Sequence, residues 1–380
     1  MSQLPPPSEA APEAAAASEA LAELQVARVV PRGLLLAAGW LVVFVLLSLA
    51  LLRGMVDREQ LDLLWSQARL APLLGSFVLL FGGLVFMGLR WRALMPEPAR
   101  VGRAGMVGIC ASGQLLNMAL PGPVGELVAA GLVQRRYGVE APVALAASLH
   151  ARFVGVVSAA VITLLVWLAA PMPVPENARP FILGAVVMVG LWGAALGLVA
   201  LWPGLFLGPA AALRRRIPAQ RPGRVLGGLD RFLALGSRFG ESLSSMTRNM
   251  GWPHVVAVGW NLLGVASISL GAWSASWALG VPGSLAGMVF SQCAVTAGAV
   301  VLFAMPGMQV GWDAAFATLM VTAVGLPLEF ALAITVLVRC QQLVVVSVGA
   351  LVLAVMLRRP AVVLRVSSAA RRSAGVDGSG

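Results

Sequence analysis

The sequence predicts an all-α integral membrane protein with six full transmembrane helices and two re-entrant helical hairpins, arranged as an inverted-topology repeat. The first observation is composition: 59% of the 380 residues are hydrophobic and only 11% are charged, whereas soluble domains carry about 25% charged residues. The second is a series of apolar runs of about 20 residues, the length that crosses the hydrocarbon core of a bilayer. The third is a repeated order of polar residues in two parts of the chain.

Six apolar runs are long enough to be complete membrane spans. The first run is too long and too far from the start of the chain for an ordinary signal peptide, so it is predicted to be an uncleaved helix. Each run supplies the roughly 20 residues that a transmembrane helix needs. The six runs cover about residues 34–52, 71–89, 143–170, 180–203, 252–279 and 328–357.

Two further apolar stretches, about 104–140 and 283–325, are each broken near the middle by a Pro-Gly pair and carry an acid just afterwards. If each made one crossing, the segment 214–250 with its eight arginines would lie outside the cell, which the positive-inside rule disfavours. Both stretches are therefore predicted to be re-entrant hairpins, the first entering from the cytoplasm and the second from outside. A Pro-Gly turn at that depth is tolerated where it is buried in protein or lines a polar cavity.

The same arginine counts set the domain limits and the orientation. Residues 1–33 and 358–380 are predicted to be disordered cytoplasmic tails on either side of a membrane domain over 34–357. The halves of the repeat cover about 104–203 and 283–357, and 214–250 forms a cytoplasmic connector. Two interpretations of the connector stay open, an interfacial amphipathic helix and a solvated linker. The predicted location is the plasma (inner) membrane of a bacterium, with both termini in the cytoplasm.

An offset of 187 residues superposes an acid, a glycine, an arginine and a hydroxyl residue of one half on those of the other. The pairs are Glu126 with Asp313, Gly138 with Gly325, Arg152 with Arg339 and Ser148 with Thr335. The hairpin tips, Pro121-Gly122 and Pro306-Gly307, superpose at an offset of 185. Since the helices that carry the two arginines are predicted to run in opposite directions, this is the inverted repeat of many transporters, whose sites lie near the midplane.

The two arginines lie about ten residues inside apolar helices, which places them near the bilayer centre. A charged side chain there costs at least ~3 kcal/mol on insertion scales and needs a partner or water. Glu126 and Asp313 are candidate partners in structural salt bridges. Alternatively, Arg152 and Arg339 form an anion site with the helix N-termini at the hairpin tips, because a guanidinium binds phosphate with two hydrogen bonds. Both interpretations hold together if an anionic headgroup displaces the carboxylates.

Several other polar residues are candidates to line such a cavity. Ser148 and Thr335 lie one turn before the arginines on the same helix face. Gln114 and Asn117 on the first hairpin, and Gln292 and Gln309 on the second, have a competing role in hydrogen bonds between helices. His150 is predicted to be a packing residue, and Trp312 an interfacial anchor like the other tryptophans. The substrate-binding prediction therefore comprises Arg152, Arg339, Glu126, Asp313, Asn117, Gln114, Ser148 and Thr335.

The stretch "NMALPGPVGELVAAGLVQRRYGV", followed by the arginine of "HARFVG", resembles the transmembrane region of lysylphosphatidylglycerol synthase/flippase proteins. The positions that match this family's first motif are Asn117, Leu120, Pro121, Gly125, Glu126 and Arg152. The second motif is matched by Pro306, Gly307 and Asp313, with Arg339 in the last long helix. Ala151, Met308 and Trp312 depart from the family's pattern. The resemblance covers about residues 34–357 and implies a flippase-like membrane domain.

The resemblance and the buried charges together predict a flippase-like protein that moves an anionic or modified lipid, aminoacylated or polyprenyl-linked, between leaflets. The alternatives are a non-transporting membrane subunit of an envelope-lipid synthesis pathway and a carrier of small anions. The chain ends at residue 380, soon after the last span, so we expect no aminoacyl-transferase domain and no enzymatic activity. We expect no cofactor, metal or nucleic acid. The expected partners are a membrane phospholipid or lipid-linked substrate, and either a second copy of the chain or a lipid-modifying enzyme.

Overall fold

The computed structural model describes residues 68–96, 101–119, 124–170, 224–298 and 308–358, together with single positions outside these ranges. Within these ranges the chain forms nine α-helices and no β-strand. The helices are α1 (Leu70–Ala93), α2 (Arg103–Ala119), α3 (Val124–Tyr137), α4 (Ala141–Ala169), α5 (Arg224–Arg248), α6 (Trp252–Ala278), α7 (Leu285–Gly298), α8 (Met308–Thr322) and α9 (Leu328–Arg358).

Four of these helices, α1, α4, α6 and α9, are long and apolar enough to cross a membrane. They coincide with four of the six predicted spans. The other two predicted spans, 34–52 and 180–203, lie outside the continuously described residues, as do both predicted tails. The two broken stretches form pairs of shorter helices, α2 with α3 and α7 with α8, in place of single long spans.

Local sequence explains where the long helices begin and end. Proline occupies the first turn of α4 and of α6, where its missing N–H is not needed for helix hydrogen bonds. Helix α6 ends at Ala278 and is followed, after Leu279, by Gly280, which has a φ of 77°. The N–H of Gly280 donates to Trp277 O and that of Val281 to Ser276 O, both at 3.1 Å, which is the Schellman arrangement that glycine favours at a helix end.

Helices α1 and α6 have the most extensive contact among the described helices and run antiparallel along a surface of small residues. A Cβ added to Gly82 would lie 2.7 Å from Ser267 Oγ, so the glycine is what allows this approach. The hydroxyl of Ser267 donates to Leu79 O at 2.6 Å, and that of Ser274 donates to Pro72 O at 2.7 Å. Small residues and serine hydrogen bonds of this kind hold helices together inside membranes.

The short helices form two antiparallel hairpins. In the first, the hydroxyl of Tyr137 at the end of α3 donates to Gly102 O, just before α2, at 3.3 Å. In the second, Cβ atoms added to Gly283 and Gly287 would meet Val324, which follows α8. The predicted tip residues Pro121, Gly122, Pro306 and Gly307 lie outside the described residues.

Each hairpin packs against the long helix that carries the arginine of the other acid–arginine pair. Helix α2 contacts α9, where Cβ atoms added to Gly108 and Gly349 would collide with Leu353 and Ala111 respectively. Helix α7 contacts α4, where Cys293 and Ala297 cluster with Ala159. The buried apolar residues accordingly form two main clusters, one around α2, α3 and the end of α9, the other around α7, α8 and the start of α9.

The second half of the connector is the amphipathic helix α5, packed against α4. Leu243 is buried and lies against Ala146 and the partly buried Leu149 and Phe153. Leu235 on the same helix is 52% exposed. Residues 224–248 are thus a docked helix, and the interpretation of a solvated linker does not hold for this part of the connector.

Candidate functional site

The first acid–arginine pair joins the first hairpin to α4. Glu126 lies in the first turn of α3 and forms an ion pair with Arg152 of α4. Asn117, near the end of α2, donates from Nδ2 to Glu126 Oε1 at 3.4 Å and accepts the Gly125 N–H at 2.8 Å. Asn117 therefore connects the two helices of the hairpin and contacts the carboxylate that holds Arg152.

The second pair has the corresponding place in the other half. Asp313 of α8 accepts hydrogen bonds from Arg339 Nε at 3.1 and 3.2 Å and also contacts Nη2. Arg339 Nη1 donates to Gln342 Oε1 at 3.0 Å, and the Trp312 ring lies 5.1 Å from the guanidinium carbon. The side chain of Arg339 is only 7% exposed, so nearly all of its contacts are with protein.

Both pairs lie at the same depth along the long helices. Arg152 and Arg339 each come eleven positions after the first residue of their helix, at Ala141 and Leu328. At 1.5 Å per residue this is about 16 Å along the helix axis, close to half the thickness of a bilayer core. The acids of the two hairpins are therefore positioned at the middle of the bundle.

Two neighbouring cavities adjoin the pairs. The first has a volume of about 50 Å³, and its polar lining comprises Arg90, Gln114, Asn117, Glu126, Ser148 and Arg152. The second has a volume of about 200 Å³, and its polar lining comprises Gln114, Gln292, Arg339 and Gln342, with Trp312 beside them. Gln114 and Met87 line both cavities and contact each other at 3.1 Å between Nε2 and Sδ. These two side chains form a common wall between the arginine sites.

The other predicted site residues divide between the cavities and the helices themselves. Ser148 is buried and lines the first cavity. Thr335 is buried as well, but its hydroxyl donates to Ala331 O of its own helix at 2.7 Å, and it does not line the second cavity. Gln292 is 8% exposed and its Oε1 has no hydrogen-bond partner within the described ranges. The structure does not describe the side chain of Gln309.

Trp312 corrects one expectation of the sequence. It was predicted to be an interfacial anchor, but it is half-buried beside Arg339 and stacks on Phe316 with ring centroids 5.0 Å apart. An arginine over an aromatic face is attracted by the quadrupole of the ring. The residue that departs from the family pattern thus contacts the site directly.

Arg90 is a site residue that sequence reasoning missed, because the predicted span over 71–89 ends just before it. Helix α1 continues to Ala93, so Arg90 remains inside the bundle and its Nη1 donates to Asn261 Oδ1 of α6. Asn261 is 5% exposed. The signal was Asn261 itself, since a buried asparagine in an apolar helix needs a hydrogen-bonding partner on a neighbouring helix.

His150 lies outside the two cavities and joins α4 to α5. It is fully buried, its Nε2 lies 3.1 Å from Thr247 Oγ1, and its ring lies edge-on to His254 at 5.7 Å. This agrees with the predicted packing role. The described residues contain no group of three or more histidine, cysteine or acidic side chains that is arranged to hold a metal ion.

Comparison with known proteins gives a family for nearly the whole chain. Residues 33–350 match the family model described as the lysylphosphatidylglycerol synthase TM region. No curated protein and no solved structure matches the chain significantly. The family match spans both hairpins and both acid–arginine pairs.

Proposed function

The chain belongs to the lysylphosphatidylglycerol synthase transmembrane-region family, and from this premise we propose that it carries an anionic or modified lipid between the leaflets of a bacterial plasma (inner) membrane. Its family and its four long apolar helices make it a membrane protein with a lipid-related function. One observation supports transport above all: two acid–arginine pairs lie at mid-depth, one at each hairpin, beside adjoining cavities with polar linings.

The packing of the helices supports an inverted repeat with two re-entrant hairpins. The first hairpin opens at the end of the bundle where α4 begins, whereas the second opens at the end where α9 begins. Both hairpins have their acids in contact with an arginine of a long helix. Since α2 packs on α9 and α7 packs on α4, the contacts of one half are matched by those of the other, as the transporter architecture requires.

The distribution of arginines supports the proposed orientation. At the end of the bundle where α1, α3 and α9 end, the described arginines include Arg92, Arg103, Arg135, Arg136, Arg238, Arg248 and Arg358. The opposite end has Arg69, just before α1. The positive-inside rule places the arginine-rich end in the cytoplasm, and anionic lipids of that leaflet attract it.

The proposed mechanism is an exchange of partners at the arginines. In the empty site Glu126 holds Arg152 and Asp313 holds Arg339, because an unpaired charge at this depth is costly. A headgroup phosphate binds the guanidinium in place of the carboxylate and keeps the charge paired while the lipid crosses the midplane. Transport runs down the lipid gradient or is coupled to ions, with Glu126 and Asp313 as proton carriers when displaced.

Two alternative functions involve no transport of lipid. A small-anion carrier would use the same arginines without a lipid path, and a membrane subunit of a lipid synthesis pathway would hold a lipid or a partner enzyme without moving either. We propose no enzymatic role for the described site. The proposed partners are a phospholipid or lipid-linked substrate and a second copy of the chain or a lipid-modifying enzyme.

A leaflet-specific lipid assay tests the proposal. Purified full-length protein in liposomes is expected to speed the exposure of labelled anionic lipid on the opposite leaflet, and Arg152→Gln is expected to abolish this. Arg238→Gln is the matched control, since that arginine is 63% exposed in a surface ion pair with Glu140. Competition by a soluble headgroup analogue with no lipid movement would indicate the small-anion carrier. If the assay shows neither lipid movement nor competition, the result would indicate the non-transporting subunit.

A further inference from the structure

Arg90 brings a third arginine to the acid–arginine pairs. It lines the first cavity together with Arg152 and Glu126, and its Nε is buried without a hydrogen-bond partner in the part of the chain that the structure describes. Gly155 of α4 makes room for it, because a Cβ there would lie 2.7 Å from Arg90 Nη1. A buried guanidinium N–H without an acceptor costs free energy, and a bound ion is one of the explanations for such a group.

The two cavities differ in charge because of this residue. Among the described residues, the first cavity is lined by two arginines, Arg90 and Arg152, and one carboxylate, Glu126. The second is lined by Arg339, whose partner is Asp313. The first cavity thus has one excess positive charge, whereas the second is balanced. A buried excess charge is stabilised by a counter-ion of equal and opposite charge.

Size and hydrogen bonding narrow the nature of that counter-ion. A volume of about 50 Å³ holds a few water-sized spheres, enough for one compact oxyanion group but not for a whole lipid headgroup. A guanidinium N–H donates well to phosphate oxygens. Arg90 Nη1 donates to Asn261 Oδ1, which orients the guanidinium plane, and Nε is buried without an acceptor within the described residues.

We propose that the first cavity is the subsite for a phosphodiester with one negative charge, and that Arg90 makes the site select such lipids. This inference rests on the proposed lipid transport. The phosphate lies between Arg90 and Arg152, and the rest of the headgroup extends past Gln114 toward the second cavity, where Trp312 and Arg339 lie. Arg90 selects by charge: a zwitterionic headgroup brings no net charge to neutralise the excess.

Binding of short-chain lipids to the purified full-length protein in detergent tests the subsite. The probes are dihexanoyl phosphatidylglycerol, which is a singly charged phosphodiester, dihexanoyl phosphatidylcholine, which is zwitterionic, and inorganic phosphate. Affinities are read from the rise in the thermal midpoint with ligand concentration. Wild-type protein is expected to bind the phosphatidylglycerol more tightly than the other two probes. Stabilisation by inorganic phosphate without stabilisation by phosphatidylglycerol would overturn the lipid assignment.

Three variants assign the selectivity to Arg90. Arg90→Gln is expected to weaken phosphatidylglycerol binding by about ten- to a hundredfold, the loss of one charged hydrogen bond, and to remove the preference over phosphatidylcholine. Arg90→Lys keeps the charge without the Nε–H, so it is expected to keep the preference at reduced affinity. The exposed Arg238→Gln is expected to match wild type. Wild-type affinity in either Arg90 variant overturns the proposal.

The readouts separate this inference from the proposed function. Should Arg90→Gln fail to fold, the affinity of Arg90→Lys still decides the matter. If selective binding is found but lipid movement in liposomes is not, the transport function fails and the subsite stands. If lipid moves and Arg90→Gln moves and binds it as wild type does, the subsite fails and the transport function stands.

Discussion

Gly138 and Gly325 share the same backbone conformation, with φ angles of 72° and 78°. Each lies between the hairpin helix that carries the acid and the long helix that carries the arginine, α3–α4 and α8–α9. A positive φ is disfavoured for residues with a Cβ. These two glycines therefore set the angle at which each acid approaches its arginine.

Alanine at either glycine is expected to destabilise the protein by about 1–2 kcal/mol, because the left-handed conformation is strained for any residue with a Cβ. No atom lies within 4 Å of the added Cβ at either position, so the cost is conformational rather than steric. Thermal unfolding of Gly138→Ala and Gly325→Ala measures it. The control is Gly131→Ala, where the space is equally open and the backbone is helical, and alanine there should not destabilise. Equal behaviour of all three variants would contradict the explanation.

A double-mutant cycle distinguishes structural from transport roles of the pairs. Glu126→Gln and Arg152→Gln each break the buried ion pair, with an expected cost of about 3–5 kcal/mol, and the double variant removes both charges of the pair. We expect the double variant to recover thermal stability but not lipid movement in liposomes. The same outcome is expected for Asp313 with Arg339. A double variant that moves lipid at the wild-type rate would make the arginines purely structural.

Trp312 is expected to stabilise Arg339 through its ring face. Trp312→Leu should cost about 1–2 kcal/mol, and Trp312→Phe less, because phenylalanine keeps part of the attraction between a cation and an aromatic face. Trp252→Leu is the control, since Trp252 is 74% exposed. Unfolding midpoints of the three variants provide the comparison. If leucine and phenylalanine cost the same, Trp312 acts by packing alone.

Single cysteines report the orientation of the bundle. In a background without the native Cys110, Cys293 and Cys340, Asn249→Cys lies at the arginine-rich end and Ser284→Cys at the opposite end, and both positions are exposed. An impermeant maleimide added to intact cells stripped of their outer membrane is expected to label only Ser284→Cys, by the positive-inside rule. Asn249→Cys is expected to be labelled only after the cells have been lysed. The reverse pattern would invert the proposed topology.

Four of the long spans and the two acid–arginine pairs were accessible from sequence, because a span has a characteristic apolar length and a buried charge needs a partner. Arg90 was not, since an arginine at the end of an apolar run looks the same as a flanking cytoplasmic arginine. Only its neighbour Asn261, from a helix about 170 residues away in the chain, distinguishes the two. Trp312 was misassigned for a similar reason: tryptophan is common at membrane interfaces, and its contact with Arg339 depends on how α8 folds back on α9.

The sequence also did not predict which helices the two hairpins pack against. Gly108 and Gly349 each indicate that another helix approaches closely at that position. The chain has many other glycines, so the sequence does not show which two helices contact each other. The identity of the partner follows from three-dimensional packing, in which α2 fits α9 and α7 fits α4. Small residues allow another helix to approach closely but do not determine which helix it is.

The packing of α2 on α9 and of α7 on α4 has a consequence for biogenesis. Helix α2 is made early, yet its packing surface around Gly108 is completed only by Leu353, some 245 positions later. Contacts so distant in sequence form late, so the nascent chain holds its first hairpin in the bilayer without its final neighbour until the last helix has been inserted. Neither half is a self-sufficient folding unit, and two fragments separated within the connector will regain the native core only by assembling with each other.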